Sequence, residues 1–329
     1  VKRPSGGTIL RGCLGVLGLF YVAHLIRAAG AGRVGAVMLS AGAWLPLVVA
    51  LELYQAASDY ASLRAILGAD WRKVPPRTWL RSSVVAYAMM ILVPAGRAAG
   101  EVTRAALLSR TLGAPRAATT STQLQAAYLS ANGLLSLVEM CFVAAFFGPR
   151  STLALLLAGN VVFQALISTG LLAILWDARI GKALDRLRRR FVPGAVESPP
   201  MDPALRRRLP LRAFAICSVS RSAQLLQYAI VLHAVGGAFS LHGAVITHGI
   251  HLVGATLGDL VPNQLGVVDG MYRAFAGAMG FGDAPERALS IAFVVRAAQF
   301  TVAGACVLIA PLTRSPGASP ASVRADVRS

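Results

Sequence analysis

Charge is what this sequence has least of. Asp, Glu, Lys and Arg make up only 14% of its 329 residues, where a soluble domain carries about a quarter. Acids are scarcer still, at 14 against 32 Lys and Arg. That balance excludes an ordinary soluble enzyme. The four cysteines, Cys13, Cys141, Cys217 and Cys306, lie far apart, each inside an apolar run, which excludes a disulfide framework and a thiolate metal site. No G-x-S-x-G, H-E-x-x-H, Walker A or dinucleotide-binding pattern occurs, so no cofactor, bound nucleotide or catalytic signature is indicated. His248 and His251 stand three apart without a third ligand, and read as a polar helix face rather than a metal site. The net charge of +18 comes without zinc-finger spacing or an RNP-like aromatic motif, so nucleic acid is not the expected partner.

What the chain has is apolar length. Residues of the set AVILMFWYC form 56% of it and its mean hydropathy is +0.62. A helix needs about 20 apolar residues to cross the hydrocarbon. Runs of that kind fall at 8–28, 34–55, 78–112, 118–147, 151–176, 211–235, 240–280 and 286–312. Lys2 and Arg3 before the first run resemble a signal peptide, but the run reads better as a membrane helix, with many further spans to thread. The linker from 177 to 210 carries Arg179, Lys182, Arg186, Arg188, Arg189, Arg190, Arg206, Arg207 and Arg208, whereas the turn at Gly236 and Gly237 carries no charge. Positive residues mark the cytoplasmic side. With the loop at 56–77, the N-terminus and the tail also inside, six runs cross. The third and seventh must then enter and leave on one side.

The expected fold is therefore an all-α integral membrane protein with six transmembrane helices and two re-entrant Pro/Gly-broken hairpins, in two inverted repeats. One membrane domain covers 1–313, with halves at 1–148 and 149–313, and residues 314–329 form a disordered cytoplasmic tail. The protein is placed as multi-pass in the inner (plasma) membrane with both termini cytoplasmic. The basic run from Leu184 to Phe191 reads first as the positive-inside signal and second as a short helix on the headgroups.

The two hairpins carry the chemistry. The first runs from Val93-Pro94 through Gly96, Arg97, Gly100, Glu101 and Arg104 to Gly113. The second runs from Val261-Pro262 through Asn263, Gly266, Asp269 and Arg273 to Gly280. In both, an acid follows the proline by seven residues, an arginine follows one turn later and shares its helix face, and a glycine closes the helix. Proline and glycine break the helix and leave its first amides unpaired. Such a half-helix N-terminus suits an anion, and paired broken helices in two inverted halves point to a midplane transporter site. Candidate substrate-binding residues are accordingly Arg97, Gly100, Glu101, Arg104, Asn263, Gly266, Asp269 and Arg273, with breaks at Pro94, Gly96 and Pro262. The rival reading makes Glu101 with Arg104, and Asp269 with Arg273, salt bridges at the hairpin tips, and Asn263 a helix cap. Glu52, Glu139 and Arg296 either line the same cavity or lie near an interface.

At these hairpins the sequence resembles the flippase-like transmembrane domain of lysylphosphatidylglycerol synthases and its stand-alone relatives. The most specific parts are Pro94 to Arg104 and Pro262 to Asp269, with Asp269 where the family has glutamate. The resemblance implies translocation of lipid or lipid-linked headgroups, with an anionic phospholipid or lipid-linked substrate as partner. It does not imply the synthases' aminoacyl transfer, since too few residues follow the last run for that soluble domain. The stretch from Val261 to Gly270 is also similar to a hopanoid-biosynthesis-associated branch. A membrane-embedded transferase or accessory subunit of lipid modification, with Glu101 as base, and a non-transporting scaffold stay open, as do a homo-oligomer and a lipid-modifying enzyme partner.

Overall fold

The computed structural model describes residues 6–93, 96–191, 201–206 and 208–313. The tail expected to be disordered and the hairpin residue Pro94 lie outside them. The described residues form helices: α1 Gly6–Ala29, α2 Ala31–Ala41, α3 Leu45–Leu67, α4 Pro76–Leu92, α5 Gly96–Leu112, α6 Ala114–Phe147, α7 Thr152–Trp176, α8 Ala178–Phe191, α9 Pro203–Arg206, α10 Leu211–Ala234, α11 Leu241–Leu257, α12 Val267–Ala274 and α13 Pro285–Ile309. Four stretches, Ala31–Lys73, Ala114–Phe147, Thr152–Trp176 and Pro285–Thr313, are long and apolar enough to cross a membrane by length and composition. At 24 residues each, α1 and α10 have the length as well.

Local chemistry sets these boundaries. Ser151 and Ser240 accept hydrogen bonds from the amides of Ala154 and Gly243, at 3.4 and 3.0 Å, which caps α7 and α11. Prolines open α4, α6 and α13, where a missing N–H costs nothing. Gly113, at φ +80°, turns the chain from α5 into α6 through a conformation that side chains resist.

Burial is inverted relative to a water-soluble protein. Leu39 and Leu308 are 85% and 76% exposed, and Phe20, Val162 and Leu166 also face outward. Glu139 and Asp269 are wholly buried, with Glu52, Glu101, Arg104, Arg221 and Arg296 nearly so. An apolar exterior of this extent around a charged interior is what lipid as solvent requires. The protein is an all-helical integral membrane protein.

The helices pack in matching pairs. α3 lies against α10; α6 packs on α10 and α11 while α13 packs on α3 and α4; α5 meets α6 while α12 meets α13; and α7 covers α6 while α1 touches α13. Exchanging α1 with α7, α3 with α10, α4 with α11, α5 with α12 and α6 with α13 maps each of these contacts onto another. The last helix of each set thus reaches across to the other set's hairpin.

One boundary differs from expectation. The second apolar run does not stop at residue 55: α3 continues to Leu67 because Ser58, Ser62, Leu63 and Leu67 still present a buried face. Only 68–75 remains of the expected loop, opened by Gly68 at φ +58°. The seventh run is broken where Pro262 and the glycines interrupt it: α11 gives way to the stretch at 258–266 before the short α12. The segment from Met201 to Arg208 is tied to α6: Thr119 Oγ1 accepts from the Asp202 amide at 2.7 Å, and Gln123 Nε2 donates to the Leu205 carbonyl at 2.8 Å.

Candidate functional site

Both hairpin breaks open onto one cavity of about 250 Å³. The first contributes Val93, Gly96, Arg97 and Ala98; the second contributes Asp259, Val261, Asn263 and Gln264. The second tip is strained. Asn263 and Gln264 have φ of +46° and +54°, the non-glycine residues at positive φ among those described, at a cost of about 1–2 kcal/mol each. Gly258 permits this coil, because a Cβ there would lie 2.9 Å from that of Gln264. Gly266, at φ +81°, lets the tip dock on α1, where its own Cβ would meet Gly18 at 3.2 Å.

The first hairpin is closed by close packing. A Cβ on Gly96 would strike the Met90 carbonyl, and one on Gly100 would strike the Met90 side chain and lie 2.8 Å from the Ala86 carbonyl oxygen. These glycines, four apart on α5, let its backbone lie directly against α4.

Polar faces of α3 and α10 form the cavity wall. Gln55 Nε2 donates to Gln227 Oε1 at 2.7 Å, Gln227 Nε2 donates to Glu52 Oε2 at 3.2 Å, and the Tyr87 hydroxyl donates to Glu52 Oε1 at 2.8 Å. Arg221 donates from Nη2 to Gln55 Oε1 at 3.2 Å and from Nη1 to Gln224 Oε1. Arg97 donates from Nη2 to Asp59 at 3.2 Å and from Nε to Gln125 at 3.2 Å. Both guanidiniums rest on the ring of Tyr128, at 3.2 Å for Arg97 and 4.4 Å for Arg221, a favourable arrangement for a cation.

The two arginines differ in charge balance. Arg97 is paired with Asp59. Among the described residues Arg221 has no carboxylate at salt-bridge distance, its Nε has no hydrogen-bond partner, and it is buried. Its direct partners are amides and an aromatic face, while the carboxylates of Glu52 and Asp59 act on it from beyond contact distance.

The residues singled out in the sequence fall into separate groups. Gly96, Arg97 and Asn263 reach the cavity; Pro262 opens the short turn that carries Asn263. Gly100, Glu101 and Arg104 do not line it. Glu101 Oε1 lies 3.3 Å from Arg104 Nη1 and 4.0 Å from Arg97 Nη2, all three being tied together inside the first hairpin. Asp269 holds the second tip. Its carboxylate accepts from Arg296 Nη1 and Nη2 at 2.6 and 2.7 Å, and from the Gly266 amide at 2.9 Å. The expected pair of Asp269 with Arg273 is thus replaced by Asp269 with Arg296, because α13 packs against α12 and brings its arginine across. Arg273 is half-buried and away from the cavity. Gly266, not Asn263, caps α12.

Of the residues ranked second, Glu52 lines the cavity, Arg296 borders a small pocket beside it, and Glu139 lies elsewhere, against His248. Gln55, Asp59, Arg221 and Gln224 were not singled out. Their signal is present: polar residues at 52, 55, 59 and 62, in and just beyond the run at 34–55, and at 221, 224 and 227 in the run at 211–235, recur at helical spacing.

No curated protein and no solved structure matches this chain. The family described as the lysylphosphatidylglycerol synthase TM region matches residues 9–306. With nearly all of the helical core inside that match, broken hairpins included, the chain belongs to the lysylphosphatidylglycerol synthase transmembrane-region family.

Proposed function

We propose that the protein translocates the headgroup of an anionic phospholipid or lipid-linked substrate across the bilayer by way of the cavity between the hairpin tips. The observation that carries this reading is Arg221, a buried cation with no carboxylate in contact, sharing the Tyr128 ring with Arg97. Glu52 and Asp59 act on it only from a distance, and a phosphate entering the cavity would meet it directly, accepting from the unpartnered Nε. Glu52 and the glutamines of α3 and α10 are suited to the polar remainder of a headgroup.

Size supports a headgroup rather than a whole lipid. About 250 Å³ falls below the usual range of pockets that engulf a drug-sized ligand. Phe163 lines the cavity and is also half-exposed on the apolar exterior, a route by which acyl chains stay in lipid while the headgroup enters. The two matching helix sets, each supplying one hairpin and one arginine, fit alternation between two faces. The membrane orientation that goes with this reading has both termini cytoplasmic.

Transport of a fluorescent anionic phospholipid in proteoliposomes tests it. Arg221→Gln and Arg97→Gln are each expected to slow movement at least about tenfold, the loss of one charge-assisted hydrogen bond to phosphate being worth about 1.5–3 kcal/mol. Arg221→Lys restores part of the rate, since an ammonium lacks the planar fork. Arg273→Gln, away from the cavity, stays near wild type. Wild-type rates in both cavity variants refute the reading.

A further inference from the structure

A second buried polar centre lies outside the cavity. Glu139 of α6 and His248 of α11 are both wholly buried, with Oε1 and Nδ1 2.5 Å apart. The other carboxylate oxygen, Oε2, has no hydrogen-bond partner among the described residues and sits where a Cβ on Gly249 would be 3.4 Å away, against Leu157 of α7. On its far side the imidazole Nε2 lies 3.3 Å from Gln224 Oε1.

The polarity of this chain can be read from its cavity end. Arg221 only donates, so the Gln224 atom facing it is the carbonyl oxygen. Gln224 Nε2 points the other way, to Gln55 Oε1. Because His248 Nε2 meets that same carbonyl oxygen, it too must carry a proton. A neutral imidazole with its proton on Nε2 would then aim the Nδ1 lone pair at a carboxylate 2.5 Å away. Moving the proton to Nδ1 would instead set the Nε2 lone pair against Gln224 Oε1. Either arrangement opposes two acceptors in a dry interior, which is costly. One additional proton between Nδ1 and Oε1 satisfies both ends and leaves the pair without net charge.

We propose that Glu139 and His248 together form an intramembrane proton-binding site whose occupancy is coupled, through Gln224 and Arg221, to anion binding in the cavity. The coupling rests on the anion-binding reading of the cavity; the proton site does not. With the proton bound, the pair is neutral and a ligand is the anion that meets Arg221 directly, Glu52 and Asp59 acting on it only from a distance. With the proton lost, the pair carries one negative charge two side chains from Arg221 and competes with that ligand. Proton and anion therefore enter together.

The surroundings leave few other charges to intervene. α10 faces the pair with Arg221, Gln224 and Tyr228, the last with its ring 5.1 Å from that of His248. α11 adds His251 at 6.3 Å, and α7 contributes Leu157. α3 places two carboxylates near Arg221, Glu52, which is engaged by Tyr87 and Gln227, and Asp59, which is paired with Arg97. Tyr272 of α12 stands beside Tyr228, and Arg296 of α13 is paired with Asp269.

Two measurements on the intact protein in lipid nanodiscs test this. The first is nitrogen-15 NMR of labelled histidine. It should show His248 with a proton on Nε2 and a second shared at Nδ1, released as the pH is raised. The second is binding of a short-chain phosphatidylglycerol, whose phosphodiester keeps one charge throughout. Affinity should fall as that proton leaves, within the roughly 5- to 150-fold of ordinary coupling. Glu139→Gln keeps a donor to Nδ1 but cannot ionise, so it should bind at the wild type's low-pH affinity at every pH. A His248 Nδ1 that neither carries a proton nor accepts one from Glu139 at any pH overturns the proton site. A pH-dependent wild type whose dependence survives in Glu139→Gln overturns the coupling. A shared proton in a protein that binds no phosphatidylglycerol at any pH refutes the anion reading of the cavity and upholds the proton site.

Discussion

Removing the Asp269 carboxylate should be among the most damaging single changes in the molecule. It is wholly buried and accepts three hydrogen bonds, two from Arg296 at 2.6 and 2.7 Å and one from the Gly266 amide at 2.9 Å. In Asp269→Ala the guanidinium, itself only 7% exposed, keeps a single long contact to the Gln264 carbonyl at 3.5 Å. Breaking a buried pair from one side costs about 3–5 kcal/mol, because the remaining charge is stranded. Asp269→Asn should cost less, about 1.5–3 kcal/mol, the scale of one hydrogen bond to a charged group. Asp269→Glu keeps the charge but adds a methylene where no space exists, for about 1–3 kcal/mol. Arg296→Met strands the carboxylate instead, and the double variant Asp269→Leu with Arg296→Met should recover most of the loss. Equilibrium unfolding in mixed micelles, run as a double-mutant cycle, measures each value. Single variants below about 1 kcal/mol, or additive behaviour in the double, would mean that Arg296 does not hold the second tip.

Further outcomes concern the first hairpin and the orientation. Gly100→Ala pushes a methyl into Met90 and the Ala86 carbonyl, so it should destabilise by about 1–3 kcal/mol and separate α4 from α5; unfolding near the wild-type midpoint would show that the close approach is dispensable. Single cysteines at Lys182 and Ser240, in a protein whose native cysteines have been replaced, should react with an impermeant reagent from opposite sides of the membrane. Labelling of both from one side contradicts the charge-based orientation.

Much of this architecture was legible because lipid imposes simple rules on sequence. Each apolar run has a helical counterpart, and the irregular stretches come where Val-Pro and glycine interrupt otherwise apolar sequence. The site was less legible, for two physical reasons. Partners set by tertiary crossing leave no local trace: Arg273 stands one turn from Asp269 on the same helix, yet Arg296, 27 positions away, is the residue that α13 lays against it. The polar stripes of α3 and α10 mix Glu52, Asp59 and Arg221 with Gln55, Ser62, Gln224 and Gln227, and the uncharged members do not enter a count of charges. Arg221 stands in an apolar run, and its meaning depends on the lack of a carboxylate in contact among the described residues, which only the packed structure displays. Charge-based reading found the residues that brace the hairpins more readily than those that line the space between them.

The cavity's position implies that its arginines move with different parts of the molecule. Arg97 belongs to α5 and Arg221 to α10, from opposite sets in the exchange pattern, and they meet on one ring of α6. On the proposed translocation, a headgroup held by both is released when the sets shift relative to each other, and the seam between them runs along α3 and α10. That seam already contains a close contact, Ser62 Oγ to Cys217 Sγ at 3.4 Å, with both side chains buried. Ser62→Cys would therefore place two thiols face to face, and a modest approach reaches the disulfide bond length of about 2.05 Å. Under a membrane-permeant oxidant the variant should lose lipid movement, and a reductant should restore it. The wild-type protein, with Cys217 alone at the seam, should be indifferent to both. Should the oxidised, cross-linked variant run at the wild-type rate, α3 and α10 would be a fixed spine, and access would have to alternate through motion of the hairpins themselves.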